Sequence, residues 1–205
     1  MKFSVIFTFV LLGSALAAPA PVQNRGVTES VGLIVNTLNN TVTTNLNQIN
    51  GLVAGVQNNV DASLQVAAQV GANFAAIAAA LNEATAGITA ATTAGIGGVA
   101  GQAIGLTNAQ IMALTQSVRD AQALIQAISA TITLTTTNLA PVALATIKNE
   151  INAATAAVAP FVGPLTTFAN AVVAARFGLG IVVTGLQGAI TGLGGILTNL
   201  LGGLL

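Results

Sequence analysis

The chain has 205 residues, of which 54% are hydrophobic and only 5% charged, and its formal net charge is zero. The sequence contains no Cys, His, Trp or Tyr, which rules out the disulfide framework of many small secreted domains. The usual general base, the usual zinc ligands and the thiol nucleophile are missing as well. We therefore expect a protein that is not an enzyme and that binds neither a cofactor nor a metal ion.

The chain begins with the pattern of a secretory signal peptide. Lys2 precedes an apolar run from about Val5 to Leu12, and the small-residue pattern Ala15-Leu16-Ala17 follows. A signal anchor is less favoured, because this run is far shorter than the roughly 20 residues that span a bilayer. We expect residues 1–17 to be a signal peptide cleaved after Ala17, residues 18–26 to be an N-terminal extension, and the protein to be secreted and extracellular.

A long amphipathic helix, or two in tandem, is predicted from Val27 to Leu81. Apolar residues recur there at a mean spacing of about 3.6 residues, and the opposite face carries amides and hydroxyls in place of charges. The Asn- and Thr-rich stretch 36–50 has poor helix propensity, and Gly51 and Gly55 interrupt the following turn. We expect a bend or break near Asn50-Gly51.

The same segment contains one N-glycosylation sequon, Asn39-Asn40-Thr41, which makes Asn39 a candidate modification site. Such a tripeptide also arises by chance in an Asn- and Thr-rich sequence. Further along, residues 86–106 are Gly-rich and uncharged, and we interpret them as a linker or a loosely helical hairpin. Gly97, Gly101 and Gly105 recur every fourth residue, so a packing stripe of small residues remains the alternative.

A helix is predicted to begin at Thr107. Thr107 and Gln110 have the spacing of a capping box, in which each side chain satisfies a free backbone N–H at the start of a helix. The apolar positions that follow alternate steps of three and four, which is the seam of a short coiled coil. We expect this seam to pack antiparallel against another part of the chain; its members are Ile111, Leu114, Val118, Ala121, Ile125, Ile128 and Ile132.

Prolines set the predicted boundaries in the next segment. The stretch TITLTTT, residues 131–137, is interpreted as a helix end and turn, and Pro141 is expected to open the next helix, where its missing N–H costs nothing. Pro160 and Pro164 are predicted to bracket a short connector, with a last helix beginning near Leu165. The helical domain as a whole is expected to cover 27–177.

Residues 178–205 form a tail without a charged side chain. Its length would allow a membrane span, but glycines and polar residues interrupt it, and neither a span nor a glycolipid-anchor signal is favoured. We expect a flexible, Gly/Leu-rich amphipathic helix, because its bulky apolar residues recur at three and four. They are the candidate surface-binding residues: Leu186, Ile190, Leu193, Leu197, Leu200 and Leu204.

These periodicities predict an all-α protein, with long amphipathic Ala/Thr/Asn-rich helices in an elongated bundle or helical hairpins and a Gly-rich C-terminal helix. The signal sequence ending in ALAAPAP, the Ala-, Thr- and Leu-rich helices without cysteine and the domain-sized length resemble the fungal hydrophobic surface binding proteins. That resemblance implies a secreted helical protein that adsorbs to hydrophobic surfaces.

Two functions fit these features. An apolar helix stripe can be buried in protein, lipid or air, so the first is a secreted amphiphile that binds or coats hydrophobic surfaces or lipids, as a bundle that opens on contact. The alternative is a structural component of an extracellular matrix or secretion, of the silk, cuticle or secretory-fluid type, that acts by helix self-association. Nucleic acid is not an expected partner, since the chain has neither a basic patch nor stacking aromatics.

Overall fold

The computed structural model describes residues 26–94, 97–175 and 181–202. Over these residues the protein is all-α, as predicted, and no strand occurs among them. The predicted signal peptide and residues 18–25 of the predicted extension lie outside the described residues. The six helices are α1 Val27–Val53, α2 Val60–Thr93, α3 Gly98–Ile104, α4 Asn108–Asn138, α5 Pro141–Ala175 and α6 Ile181–Gly202.

The four long helices α1, α2, α4 and α5 form a bundle of two helical hairpins placed side by side. At one end of the bundle, Asn138 Nδ2 of α4 donates to Val53 O of α1 at 3.3 Å. Towards the other end, Gly32 of α1 faces Ser117 of α4. The helices α1 and α4 therefore run parallel. The pair α2 and α5 is also parallel, since Ala140 N donates to Ser63 Oγ at 3.0 Å and Gly71 faces Ile147.

The predicted seam of α4 is buried along its whole length, with Ile132 the most exposed of its seven residues at 4%. Its main partner among the long helices is α1. The expected antiparallel packing is wrong for this pair, because the short connection through α3 starts α4 at the same end of the bundle as α1. The helix α3 itself lies against α5.

The break between α1 and α2 is confirmed, but it falls a few residues later than predicted. The helix α1 continues through Gly51 to Val53, because Ile49 and Val53 are fully buried and their packing outweighs the poor helix propensity of the glycine. The turn then places Gln57 and Asn58 at positive φ, 45° and 61°. After the turn, Asn59 caps the start of α2, because its Oδ1 accepts a hydrogen bond from Ala62 N at 3.0 Å.

The predicted capping box at the start of α4 is present. Thr107 Oγ1 accepts from Gln110 N at 3.3 Å, and Thr107 N donates to Gln110 Oε1 at 2.8 Å. At the other end of α4, residues 131–137 are helical and the turn follows only at Leu139, after which Pro141 opens α5 as predicted. The hydroxyls of Thr135 and Thr137 donate to carbonyls one turn earlier, so both are satisfied within the helix.

Pro160 and Pro164 do not interrupt α5, which runs unbroken from Pro141 to Ala175. The predicted connector, and the predicted start of a helix near Leu165, are therefore wrong. A proline inside a helix costs about 3 kcal/mol or more, and packing outweighs that cost because apolar residues keep the helical spacing through both prolines. The buried ones at steps of three and four are Val158, Phe161, Leu165, Phe168 and Val172.

The Gly-rich stretch 86–106 is mostly helical. Its first part belongs to α2, which ends at Thr93, and its last part forms the short helix α3. Gly97 precedes α3 with a φ of 87°, a conformation that side-chain-bearing residues rarely adopt. The described part of the stretch thus consists of the end of α2 and the short helix α3, which is closer to the predicted loosely helical hairpin than to a linker. Residues 95–96 lie outside the described part of the chain.

The capping box gives a direct test of what fixes the start of α4. Thr107→Ala removes the side-chain acceptor for Gln110 N, and we expect it to lower the free energy of unfolding by about 1 kcal/mol. Thr107→Ser keeps the hydroxyl and should retain most of the stability. Urea unfolding followed by far-ultraviolet circular dichroism measures both, and an alanine variant as stable as the wild type would contradict the role of the cap.

Candidate surface-binding site: the C-terminal helix

The predicted surface-binding residues from Leu186 to Leu200 lie on one face of α6, and that face points into the bundle. Leu186 and Leu193 are fully buried and Leu200 is 5% exposed. Ile190 and Leu197 are half-buried and pack against the same core. Leu204 lies outside the described residues. The helical spacing predicted from the sequence is present, but protein, and not solvent, covers the apolar face.

The helix α6 packs against both α4 and α5. Although α4 and α5 are consecutive, they touch each other less than α6 touches either of them. The leucine face of α6 therefore covers the α4–α5 side of the bundle, where the direct contact between α4 and α5 is small. The described part of the predicted tail, 181–202, packs onto the bundle, since Leu186, Leu193 and Leu200 belong to the same core cluster as the buried residues of α1 to α5.

A polar contact between Gln122 and Ala189 crosses the interface between α6 and α4. Gln122 of α4 is half-buried, and its Nε2 donates to the carbonyl oxygen of Ala189 at 2.7 Å. A Cβ atom at Gly192, one turn further along α6, would overlap the Gln122 amide nitrogen. Glycine at this position therefore leaves room for the amide to reach the α6 backbone.

The glycines of α6 make it a weak helix in isolation. Six of its 22 residues are Gly, and each glycine inside a helix is about 0.8–1.0 kcal/mol less favourable than alanine. The side chains that would compensate are the buried leucines, which act only when α6 is docked. Packing against α4 and α5 is thus the main source of stability for α6.

The outer face of α6 is polar but uncharged. No charged residue occurs between Ile181 and Gly202. Thr184, Gln187, Thr191, Thr198 and Asn199 are exposed. Thr191 and Thr198 donate their hydroxyls to carbonyls one turn earlier, Gln187 O and Gly194 O, both at 3.0 Å. These hydroxyls already have a hydrogen-bond partner within the helix. The outer face therefore binds water less strongly than a charged face would.

A second apolar feature lies between α2 and α5, where an open groove of about 490 Å³ runs along the bundle. Leu64 and several small residues of α2 form one wall, and Thr146, Ile147 and Glu150 of α5 form the other. One carboxylate oxygen of Glu150 is buried without a hydrogen-bond partner. The wall from α2 consists of Leu64, Ala67, Ala68, Gly71, Ala72 and Ala75.

The other chemical possibilities are limited in the described part of the chain. No cluster of three or more His, Cys, Asp or Glu residues that could hold a metal ion occurs in 26–94, 97–175 or 181–202. The helices α2 and α5 are long and apolar enough to cross a membrane, with a mean hydropathy of 1.5 in each, and about half of each apolar stretch is buried in the bundle. A soluble core helix has the same properties.

The sequon residue Asn39 lies in the middle of α1 and is half-buried. Its Oδ1 accepts a hydrogen bond from Thr43 Oγ1 at 3.4 Å. Glycosylation of Asn39 stays a prediction. Gln122, by contrast, was not identified from the sequence, because a single glutamine on a helix carries no signal for a partner that lies 67 residues away.

Two glycines of α6 form a matched pair for testing the docked interface. A Cβ at Gly195 meets no other atom, so Gly195→Ala should raise the free energy of unfolding by up to about 1 kcal/mol through helix propensity. Gly192→Ala has the same propensity gain but displaces the Gln122 amide and loses its hydrogen bond, worth about 0.5–1.5 kcal/mol. We expect stabilisation by Gly195→Ala only, measured by urea unfolding. An equal gain from both variants would contradict the described interface.

Comparison of the chain with known protein families, curated proteins and solved structures found no match. The resemblance to the fungal hydrophobic surface binding proteins therefore stays a prediction. The function has to be argued from the residues of this chain.

Proposed function

We propose that the protein is a secreted, non-enzymatic amphiphile that binds or coats hydrophobic surfaces or lipids. The observation that carries the proposal is the packing of α6. This uncharged helix has a continuous leucine face, its own helix propensity is poor, and docking against α4 and α5 is what keeps that face out of water. A hydrophobic surface can take the place of the protein at such a face.

The energy balance favours an apolar phase as the partner. Moving one leucine side chain from water to an apolar environment is worth about 1.5–3 kcal/mol. In the closed bundle the leucines of α6 already have this stabilisation. When the bundle opens at an apolar surface, that surface covers the α6 face and the faces of α4 and α5 beneath it, which the closed bundle already keeps out of water. The additional gain is the area of the apolar phase itself that loses contact with water.

Charge contributes little to this binding. The described basic residues, Arg119 and Lys148, are single exposed side chains on α4 and α5, and α6 has none. A helix that is drawn to anionic headgroups normally has Lys or Arg along its polar face. The proposed partner is therefore an apolar surface, such as air, oil, wax or lipid chains, and not a charged headgroup layer.

Adsorption of the purified chain without its predicted signal peptide tests the proposal. We expect a fall in air–water surface tension at micromolar concentration, and depletion of the protein from solution by hydrophobic beads but not by hydrophilic beads of the same size. Far-ultraviolet circular dichroism should show that the adsorbed chain keeps its helices. Equal retention on both kinds of bead, or no adsorption at micromolar concentration, would remove the proposal.

The low charge predicts how adsorption responds to salt. Charge attraction between exposed groups is screened strongly between 0.01 M and 1 M ionic strength, where the Debye length falls from about 30 Å to about 3 Å. We expect adsorption to hydrophobic beads, and binding to vesicles, to change less than about twofold over this range. Binding to anionic vesicles that greatly exceeds binding to zwitterionic ones at low salt would contradict the apolar mechanism.

Self-association is the second candidate function, and exposed apolar residues at one end of the bundle favour it. Val60 and Leu64 of α2 and Val142 of α5 are 51%, 45% and 49% exposed. They lie in the first turns of two helices whose starts are joined by the hydrogen bond between Ala140 N and Ser63 Oγ. A net charge near zero removes the repulsion that keeps many proteins monomeric.

Light scattering without lipid tests this second candidate. It predicts oligomers whose size grows with protein concentration and falls when Leu64 is changed to Gln, since that change removes exposed apolar area without disturbing a buried residue. Thr133→Gln, an exposed substitution on α4, is the control. A chain that stays monomeric on concentration would contradict self-association and leave surface binding as the proposed function.

A further inference from the structure

We infer that the interface between α6 and the α4–α5 pair is the surface-binding site: α6 leaves the bundle as a unit, and the faces uncovered on both sides bind the apolar phase. This inference rests on the proposed function and specifies where the binding surface is. It also identifies Gln122 as a positioning residue that holds α6 in the closed state.

The first support comes from the way the other helices pack. The helix α4 packs along α1, α5 packs along α2, and α1 and α2 pack against each other. These three pairs do not involve α6, so they can persist when α6 moves away. The pair α4 and α5, which α6 covers, has the smallest contact of the four sides of the bundle. Removing α6 from this side therefore leaves the contacts among the four long helices unbroken.

The second support is the composition of α6. Because its six glycines disfavour the isolated helix, its docked state depends on Leu186, Leu193 and Leu200, whose partners are other apolar groups. An apolar surface offers these side chains the same kind of contact. Undocking in water exposes them, and undocking at an apolar surface does not. The medium therefore decides whether the open state is favoured.

The third support is the polar contact made by Gln122. Its hydrogen bond to Ala189 O fixes the register between α4 and α6, and Gly192 leaves the space that the amide needs. A neutral hydrogen bond of this kind contributes only modestly to stability. It can hold α6 in the correct position in water and still be exchanged for water when α6 leaves.

Cross-linking tests the inference in the full chain without its predicted signal peptide. The sequence contains no cysteine, so in a Gln122→Cys, Gly192→Cys variant only these two positions react with a short bis-maleimide that contains a cleavable disulfide. We expect the cross-linked protein to lose most of its adsorption to hydrophobic beads, about tenfold or more, and to regain it after reductive cleavage. An Ala123→Cys, Ala127→Cys variant, stapled within α4 on exposed positions by the same reagent, should adsorb equally before and after cleavage.

The outcomes separate the two proposals. If the wild type adsorbs and the 122–192 cross-linked protein adsorbs equally well, α6 does not need to leave, and the inference is wrong while the proposed function stands. If the wild type does not adsorb, the proposed function fails and the inference fails with it. Deleting α6 would be a poorer experiment, because it uncovers the apolar faces of α4 and α5 permanently.

Hydrogen exchange tests the opening without any surface. Amides of α6 between Leu186 and Leu200 should exchange about tenfold or more faster than those of α4 between Val118 and Ile132, since partial opening costs less than global unfolding. Gln122→Ala should speed exchange in α6 further and leave α4 unchanged, whereas Gln126→Ala, an exposed substitution on α4, should leave α6 unchanged. Exchange of α6 and α4 at the same rate would overturn the inference.

Discussion

Burial of the apolar stripes against one another is the interaction on which every other feature of this protein depends. The chain has no cysteine, and the charged residues in the described part of the chain are few and are exposed or half-buried on the helices. The described core consists almost entirely of Val, Leu, Ile, Ala and Phe, with three fully buried phenylalanines at its centre, Phe74, Phe161 and Phe168. Because dispersion and the hydrophobic effect are non-directional, the same faces that hold the bundle together have no chemical preference for protein over another apolar phase.

The polar surface of the bundle is made mostly of neutral side chains. Threonines occur on the outside of α2, α4, α5 and α6, and many donate their hydroxyls to carbonyls one turn earlier in their own helix. Such a hydroxyl already has a partner, and the methyl group beside it lowers the affinity of the surface for water. Asparagines on α1 bond to carbonyls or amides within the same helix in a similar way. The exterior is therefore hydrated through neutral groups whose contacts with water are readily exchanged.

The features that depend on neighbouring residues could be predicted from the sequence. The capping box at Thr107, the helix start at Pro141 and the buried seam of α4 each rest on spacings of a few residues. Three other features could not be predicted, because they depend on packing between distant segments. Pro160 and Pro164 are tolerated since Phe161 and Phe168 are buried against other helices, and no local pattern shows that compensation. The apolar face of α6 was recognised, but a periodicity does not tell whether protein or solvent covers it. Gln122 was missed for the same reason.

The two prolines of α5 also limit which side of this helix can meet an apolar phase. Proline has no N–H, so the carbonyls of Ala156 and Pro160 lack the donor that normally follows four residues later. Ala156 and Pro160 are exposed, and water can hydrogen-bond both carbonyls there. In contact with oil or lipid chains the same carbonyls would be unsatisfied, at a cost of several kcal/mol each. The proline side of α5 is therefore held to water, and an apolar phase that the proposed opening brings to α5 has to approach the helix from another side.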